Sequence, residues 1–399
     1  MALARSSTLV PKIIAARGLE FLRENAVMPR LVQNLSDSVV AMKGDIITLP
    51  DSDAQTVADV TAAATPPAPT QATIAAKYVT LNQWRHTEFG ITDKEIGEII
   101  DADHYVPVQM QESMRALAND VDAYILALYT GIYNFSGVAG TTPFASDLAA
   151  FRDGRKNLNN DLAPLDGRNV VLDPDAEANA IVLEQFLAAD RRGDQGGIIS
   201  GEIGRKLGAN WFMNQNIPTH TAGTWAITGT GWTEVKAAAT AGTSTFIIQG
   251  NSSTTTNGGN LKVGDVFKVT GDNQPYRVKT AASVAVGAQA TLSVTVDPVF
   301  RATIAAGATV TFAGGADATN SVTNLLFHPN AFAFASRPMV TKSNYMGASG
   351  PLSSTVRDPV SGIAVRFELI REYKQWLMDF DILYGATLVR PQLANRVLG

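Results

Sequence analysis

The stretch GIAVRFELIREYKQWLMDFDILYGATLVRPQLANRV, residues 362–397, decides how the rest of the chain is read. Arg366 and Glu368 alternate with Val365, Phe367 and Leu369, and Asp379 and Asp381 alternate with Met378, Phe380 and Ile382. A period of two marks a half-buried antiparallel strand. The pattern predicts strands over 363–373 and 375–384. A short third strand over 387–390 follows Gly385-Ala386 and stops at Pro391. A sheet this long needs partners from elsewhere, and the strand-like run AAKYVTLNQWRHTEFGI at 75–91 fits best.

Composition bounds the rest. At 399 residues the chain exceeds the size at which one core usually stops growing, so two or more domains are expected. It is 45% hydrophobic but only 17% charged, below the usual share of about a quarter, which suggests a surface covered in part by neighbouring subunits. The net charge is −5 and no block of like charge stands out, which argues against a protein whose main work is gripping nucleic acid. The absence of cysteine excludes disulfide scaffolds, thiolate metal sites and a cysteine nucleophile. The basic N-terminus lacks the apolar core of a signal peptide, and no stretch reaches the ~18 apolar residues of a membrane span. A soluble protein made in a cytoplasm is expected, without membrane partners.

Residues 1–43 read as an arm. Lys43-Gly44-Asp45 turns into a short strand, IITLP, at 46–50. Residues 51–71 have no aromatic side chain and carry Pro66, Pro67 and Pro69. They read either as a linker or as the tip of a projecting hairpin, and strand character on both sides favours the hairpin. Val106, Met110, Met114, Leu117, Val121, Tyr124, Ile125 and Leu128 then define one face of a long helix that ends at Gly131. Helices over 147–162 and 176–189 flank an apolar strand, NVVL, at 169–172, which indicates an α+β layer.

From about residue 222 to 320 the chain becomes rich in Thr, Gly, Ala, Ser and Val. Strands are predicted at 244–249, 265–270, 276–281, 291–297 and 308–312. Turns are predicted at Asn257-Gly258-Gly259, Gly271-Asp272-Asn273 and Gly314-Gly315. This reads as a small antiparallel β-barrel inserted into the α+β domain.

Catalytic chemistry is thin. The four histidines, His86, His104, His220 and His328, lack zinc-site spacing, and neither a phosphate-binding G-x-x-x-x-G-K-[ST] nor a G-x-S-x-G elbow occurs. No cofactor, metal or catalytic residue is assigned. Asp51 with Asp53, and Asp379 with Asp381, are carboxylate pairs at i,i+2. Their simpler reading is as strand-face acids that meet arginines, with Arg85, Arg366, Arg371 and Arg390 available across subunits. Trp84, Trp211 and Trp376 read as core or interface anchors.

The order of elements resembles the tailed-phage major capsid protein fold (the Hong-Kong-97-type, or Johnson, fold). DFDILYGATLVRP at 379–391 looks like that family's strand leaving the peripheral domain, and KGDIITLP at 43–50 is similar to its entry into the extended loop. The inserted β-domain, with its Gly-Asp turn in LKVGDVFKV at 261–269, resembles the coat protein of the Salmonella short-tailed phage and its relatives. The resemblance implies an α+β fold with a long spine helix and an N-arm at 1–43. The extended loop would be 44–80, the peripheral domain 81–135, and the axial domain 136–221 plus 321–355. An inserted barrel at 222–320 and a returning C-terminal sheet at 356–399 would complete it. It implies self-assembly into hexamers and pentamers of an icosahedral shell around double-stranded DNA in a virion assembled in host cytoplasm. A separate scaffolding protein, a portal protein and a decoration protein are the implied partners, with DNA touched non-specifically. Two other readings stay open: an adhesin or carbohydrate-binding protein using 222–320, and a hydrolase using Asp379 and Asp381.

Overall fold

The computed structural model describes residues 26–35, 46–52, 74–95, 108–187, 203–228, 234–249, 256–288, 290–315, 319–339, 352–358 and 361–399. These form a mixed α and β structure in two compact units. One unit draws on 34–118 and 333–389, the other on 26–33, 119–332 and 390–399. The tip prolines Pro66, Pro67 and Pro69, most of the arm, and His104 lie outside the described residues.

The first unit is organised by β23 (Gln375–Leu388), one continuous strand of 14 residues. It pairs antiparallel with β22 (Ala364–Glu372) from Val365↔Ile382 to Glu372↔Gln375. On its other edge it pairs with β4 (Gln83–Thr92), from Gln375↔Thr92 to Tyr384↔Gln83. The partner expected at 75–91 is therefore found, in register over 83–92. Strands β21 (Leu352–Arg357), β20 (Phe332–Arg337) and β1 (Gln33–Asn34) complete the sheet in the order β1-β20-β23-β22-β21.

The separate strand expected at 387–390 does not form. Gly385 is no turn; it permits a close approach. A Cβ there would lie 2.0 Å from the carbonyl oxygen of Thr80, so only glycine lets β3 (Ile74–Thr80) cross this point. β3 and β2 (Ile46–Ser52) form a hairpin in register from Ile46↔Thr80 to Ser52↔Ile74. Strand thus precedes and follows the proline-bearing residues 53–73, which lie outside the described residues.

A long helix, α2 (Val108–Ala127), continues as a 3-10 turn to Gly131 and carries Met110, Met114, Leu117, Val121 and Ile125 buried, the face predicted from spacing. The shorter helix α1 (Met28–Leu31) precedes it in the chain.

The second unit contains a mixed sheet of order β5-β24-β19-β6-β8-β7. Its strands are β5 (Phe135–Gly137), β24 (Ala394–Leu398), β19 (Ser321–Phe327), β6 (Arg168–Leu172), β8 (Ala209–Met213) and β7 (Arg205–Lys206), with β9 (Thr219–His220) also on β19. Helix α3 (Ala149–Asn160) packs on β5 and β24, with Phe151 and Leu158 buried. The helix expected over 176–189 is interrupted. α4 (Pro174–Val182), capped by the Asp173 carboxylate, ends where Leu183 turns extended, and a single turn, α5 (Glu184–Leu187), follows.

Residues 225–312 build two further sheets. One is β10 (Trp225–Thr228), β13 (Thr256–Leu261) and β16 (Ala282–Ala288). The other has the order β11-β12-β17-β15-β14-β18, from β11 (Glu234–Val235), β12 (Thr245–Gln249), β17 (Thr291–Asp297), β15 (Tyr276–Thr280), β14 (Val266–Val269) and β18 (Val310–Phe312). Its first and last strands meet: the Val235 amide donates to Ala308 O at 3.0 Å, and the Gly307 amide donates to Val235 O at 2.8 Å. Phe246, Phe267, Tyr276, Phe300 and Phe312 fill the interior, with ring centroids 4.8–5.9 Å apart. Asn257-Gly258-Gly259, read as a turn, instead lies inside β13, with Gly259 at φ 125°, opposite a bulge whose extra residue is in β16 between Val284 and Gly287.

Candidate assembly surfaces and buried polar clusters

The carboxylates singled out from sequence lie on one face of the β4-β23-β22 ribbon. Strand register puts His86, Asp381 and Arg366 in one row and Glu88, Asp379 and Glu368 in the next. Phe89, Phe380 and Phe367 stack on the opposite face. Asp381 is buried. Arg366 Nε donates to its Oδ1 at 2.9 Å and Nη2 to its Oδ2 at 2.5 Å, and Trp84 Nε1 adds a third bond at 2.9 Å. Asp379 meets His86 Nδ1 at 3.3 Å. Its pKa is raised by burial first and then by the neighbouring Asp381 charge, against the pull of His86.

The arginine–acid pairs expected across subunits are thus made within the chain. Arg366 holds Asp381, and Arg371 forks onto Asp93 and lies 5.0 Å over the Trp376 ring. Arg366 and Asp381 lie in adjacent strands of one sheet, where register brings opposite charges together more cheaply than a partner could, and Arg371 reaches across β23 to Asp93 at the end of β4. Trp84 is not a core anchor: it is 63% exposed, with only its indole N–H engaged. Trp211 is the buried one, ringed by Phe144, Phe151 and Phe186. Arg85 is exposed on β4 and Arg390 half-buried where the chain leaves the first unit. A hydrolase built on Asp379 and Asp381 is excluded by this geometry, because both Asp381 oxygens are already occupied and the side chain is sealed from solvent.

The hairpin has two unlike faces. Ile47, Val79 and Leu81 are buried against Ala333, Ala335, Leu383 and Val389, which anchors its base. The opposite face carries Ile46, Thr48 and Pro50 beside Ala76, Tyr78 and Thr80, all exposed; Ile46 and Tyr78 are more than half so.

Polar clusters unseen in the sequence hold the second unit together. Arg396 is fully buried. Its guanidinium donates to Gly264 O at 2.7 Å, to Thr130 O at 3.3 Å and to Ile132 O, and lies over the Tyr129 ring. Burial pulls its pKa down to about 9, so it remains a cation at neutral pH. Beside it, His220 Nε2 meets Asp265 Oδ1 at 2.8 Å and His220 Nδ1 meets the Tyr129 hydroxyl at 3.1 Å. Asp265 also takes the amides of Gly223 and Lys262, so one carboxylate ties the chain before β10 to the turn after β13.

Asp122 on α2 is likewise buried. It accepts from the amides of Val27 (3.1 Å) and Met28 (3.0 Å) and from Asn214 Nδ2 (2.6 Å), which pins α1 in place. Burial raises its pKa to about 6 against these three donors and the Arg30 charge. Only the rule that buried carboxylates need donors could have flagged these residues, and the donors are far away in sequence.

Two leucines occupy left-handed backbone. Leu162 (φ 57°) closes α3: its amide bonds Asn159 O and the Ala163 amide bonds Leu158 O, a Schellman motif with leucine where glycine is usual. Leu207 (φ 54°) and Gly208 (φ 80°) form the β7–β8 turn. Such conformations cost about 1 kcal/mol for a residue with a Cβ. Leu162 is 89% exposed and Leu207 45% exposed.

No protein-family model matches the sequence, and no curated protein matches it. Among solved structures, the fold is similar to one from Mycobacterium phage Che8, at 15% identity and a TM-score of 0.48 over 93% of this chain and 90% of that one. It is also similar to the capsid structure of the cyanophage P-SCSP1u, at 11% identity and a TM-score of 0.47 over 93% and 87%. A third is the asymmetric unit of the bacteriophage PhiM1 mature capsid, at 10% identity and a TM-score of 0.45 over 93% and 86%.

Proposed function

We propose that this chain is the major capsid protein of a tailed phage, a non-enzymatic subunit that assembles with copies of itself into an icosahedral shell around double-stranded DNA. The observation that carries the reading is the hairpin of β2 and β3. Its base is anchored by Ile47 and Val79, its outer face presents Ile46, Pro50 and Tyr78 to solvent, and its paired strands end at Ser52 and Ile74. A ribbon with one buried and one bare apolar face needs a surface to lie on, and a neighbouring copy supplies it. The long helix α2 and the return of β23 to β4 accord with the spine helix and peripheral domain of the Johnson fold. Residues 222–320, whose six-stranded sheet joins at its edges, accord with an inserted barrel.

In this reading the seven-part division of the chain given by the resemblance holds. Arg85 and Trp84, exposed on β4, and Arg390 serve contacts between subunits. A separate scaffolding protein guides assembly in the host cytoplasm, and the portal and a decoration protein are further virion partners. The net charge of −5 leaves packed DNA free to slide along the wall. Deleting 52–70 should leave a folded subunit that no longer closes shells; closed particles of the deletion variant in electron micrographs would sink the reading.

One observation favours the second reading, a carbohydrate-binding protein. A cleft of about 350 Å³ is lined by Asn134, Asn157, Asn160, Asp161, Asn273 and Gln274, carboxamides and a carboxylate suited to sugar hydroxyls. Saturable glycan binding by a protein that stays monomeric at all concentrations would favour it over the shell.

A further inference from the structure

The cleft that favours the carbohydrate reading carries charge as well as carboxamides. One wall is Asn134 with Asn157, Asn160 and Asp161 at the end of α3; the other, from the inserted domain, holds Asn273, Gln274 and Arg301. Asp161 and Arg301 are opposite charges on one cleft of about 350 Å³, yet among the described residues they form no ion pair. Burial first, and then the Asp161 charge, lift the pKa of Tyr133, while Arg301 pulls it down, so both charges act on one phenol.

The polar groups divide by what they still offer. Asp161 Oδ2 is taken, by Asn134 Nδ2 at 2.7 Å and the Tyr133 hydroxyl at 3.3 Å, which leaves Oδ1 as an acceptor. Asn157 Nδ2 donates to Phe135 O at 3.0 Å and Asn395 Oδ1 at 2.9 Å, which leaves its own oxygen. Gln274 is only 8% exposed, and its carboxamide has no hydrogen bond among the described residues. A buried amide in that state marks a place where an outside group completes the bonding. The carboxamides of Asn160 and Asn273 and the Arg301 guanidinium are open in the same way.

These groups choose the ligand. Free acceptors need donors and free carboxamides need both, which hydroxyl groups supply at once. A guanidinium takes a carboxylate or a phosphate, and the carboxylate, with the smaller charge, is repelled less by Asp161. No aromatic ring lines the cleft, so a neutral sugar has no face to stack on. The whole chain carries −5, so attraction for an anion has to come locally, from Arg301.

We infer that the cleft binds a single acidic sugar residue, a uronic acid, its carboxylate on Arg301 and its hydroxyls on Asp161, Asn273 and Gln274. The inference rests on the carbohydrate reading of this cleft and is independent of whether the chain assembles.

The test titrates the whole chain with D-glucuronate, D-glucose and L-glutamate, at about 0.15 M salt to screen diffuse charge. Binding is followed by saturation-transfer NMR, with negative-stain microscopy of the same sample. Glucuronate should bind about tenfold or more tighter than glucose. Arg301→Gln should erase that preference, and Asn273→Ala should weaken both sugars alike, roughly two- to tenfold. Both side chains are exposed, so folding is kept. Glucose bound as tightly as glucuronate overturns the acidic assignment and leaves the carbohydrate reading intact. Glutamate bound as tightly as glucuronate, or binding that neither substitution moves, overturns the inference. No binding of any probe overturns the inference and the carbohydrate reading together, and leaves the shell reading to the micrographs.

Discussion

Replacing Asp122 by asparagine should change the pH dependence of stability in a direction that the structure fixes. Asp122 is sealed from solvent, and burial lifts its pKa to about 6 although three donors and Arg30 pull the other way. An unfolded aspartate titrates near ~3.9. The folded chain therefore binds this proton more tightly than the unfolded chain. The stability that goes with protonation is complete below about pH 4 and is lost as pH rises to about 6. Two units correspond to about 3 kcal/mol.

Asparagine does not titrate, so the stability of the wild type minus that of Asp122→Asn should fall by about 3 kcal/mol between pH 4 and pH 7 and then stay level. The assay is native-state hydrogen exchange at the Val27 and Met28 amides, the two donors that read the carboxylate directly, with intrinsic rates corrected at each pH. A difference that is flat, or that grows with pH, refutes the assignment of Asp122 as a carboxylate strained by burial.

Three further outcomes follow from the packing of the two units, each taken by itself. Gly385→Ala puts a Cβ 2.0 Å from Thr80 O and should destabilise the hairpin base by about 3 kcal/mol or more; wild-type thermal stability would mean that β3 and β23 can slide apart. Arg366→Met strands the Asp381 charge at a buried site, at a cost of about 3–5 kcal/mol, and adding Asp381→Leu should restore most of it. Equal losses in the single and double variants on denaturant titration would contradict that account. The fragment 222–320 should fold alone, since its aromatic core and joined sheet lie within one continuous stretch; a random-coil NMR spectrum would count against it.

The sequence carries the long strands of the first unit and the long helix, because period-two alternation at 363–384 and the helical face from Met110 to Ile125 are local signals. It misplaces the glycines. Gly385 and Gly258-Gly259 read as turns, yet they sit in strands, one for a close crossing and the other beside a bulge. A glycine announces unusual geometry without saying which kind. Strand β13 escapes because its Asn and Gly residues leave no alternation to read.

The polar clusters are harder still. Asp122 with Val27, and Arg396 with Gly264, are partners more than ninety residues apart, and neither member is unusual by itself. The reverse error befell Asp379 and Asp381. Their spacing is visible in the sequence, but the arginine that neutralises Asp381 lies one strand over in the same sheet, so that carboxylate is satisfied within the chain.

Strand β24 makes two otherwise separate parts of the second unit depend on one another. It is inserted between β5 and β19, and Gly399 exchanges two main-chain bonds with Val322. Its Arg396 also fastens the loop that carries Gly264. A chain that stops short of residue 394 leaves both neighbouring strands with open edges and three carbonyls without their cation. Such a fragment exposes strand edges that invite capture by chaperones and proteases. Strand β24 thus closes a sheet and neutralises a buried carbonyl cluster, and losing it undoes both at once.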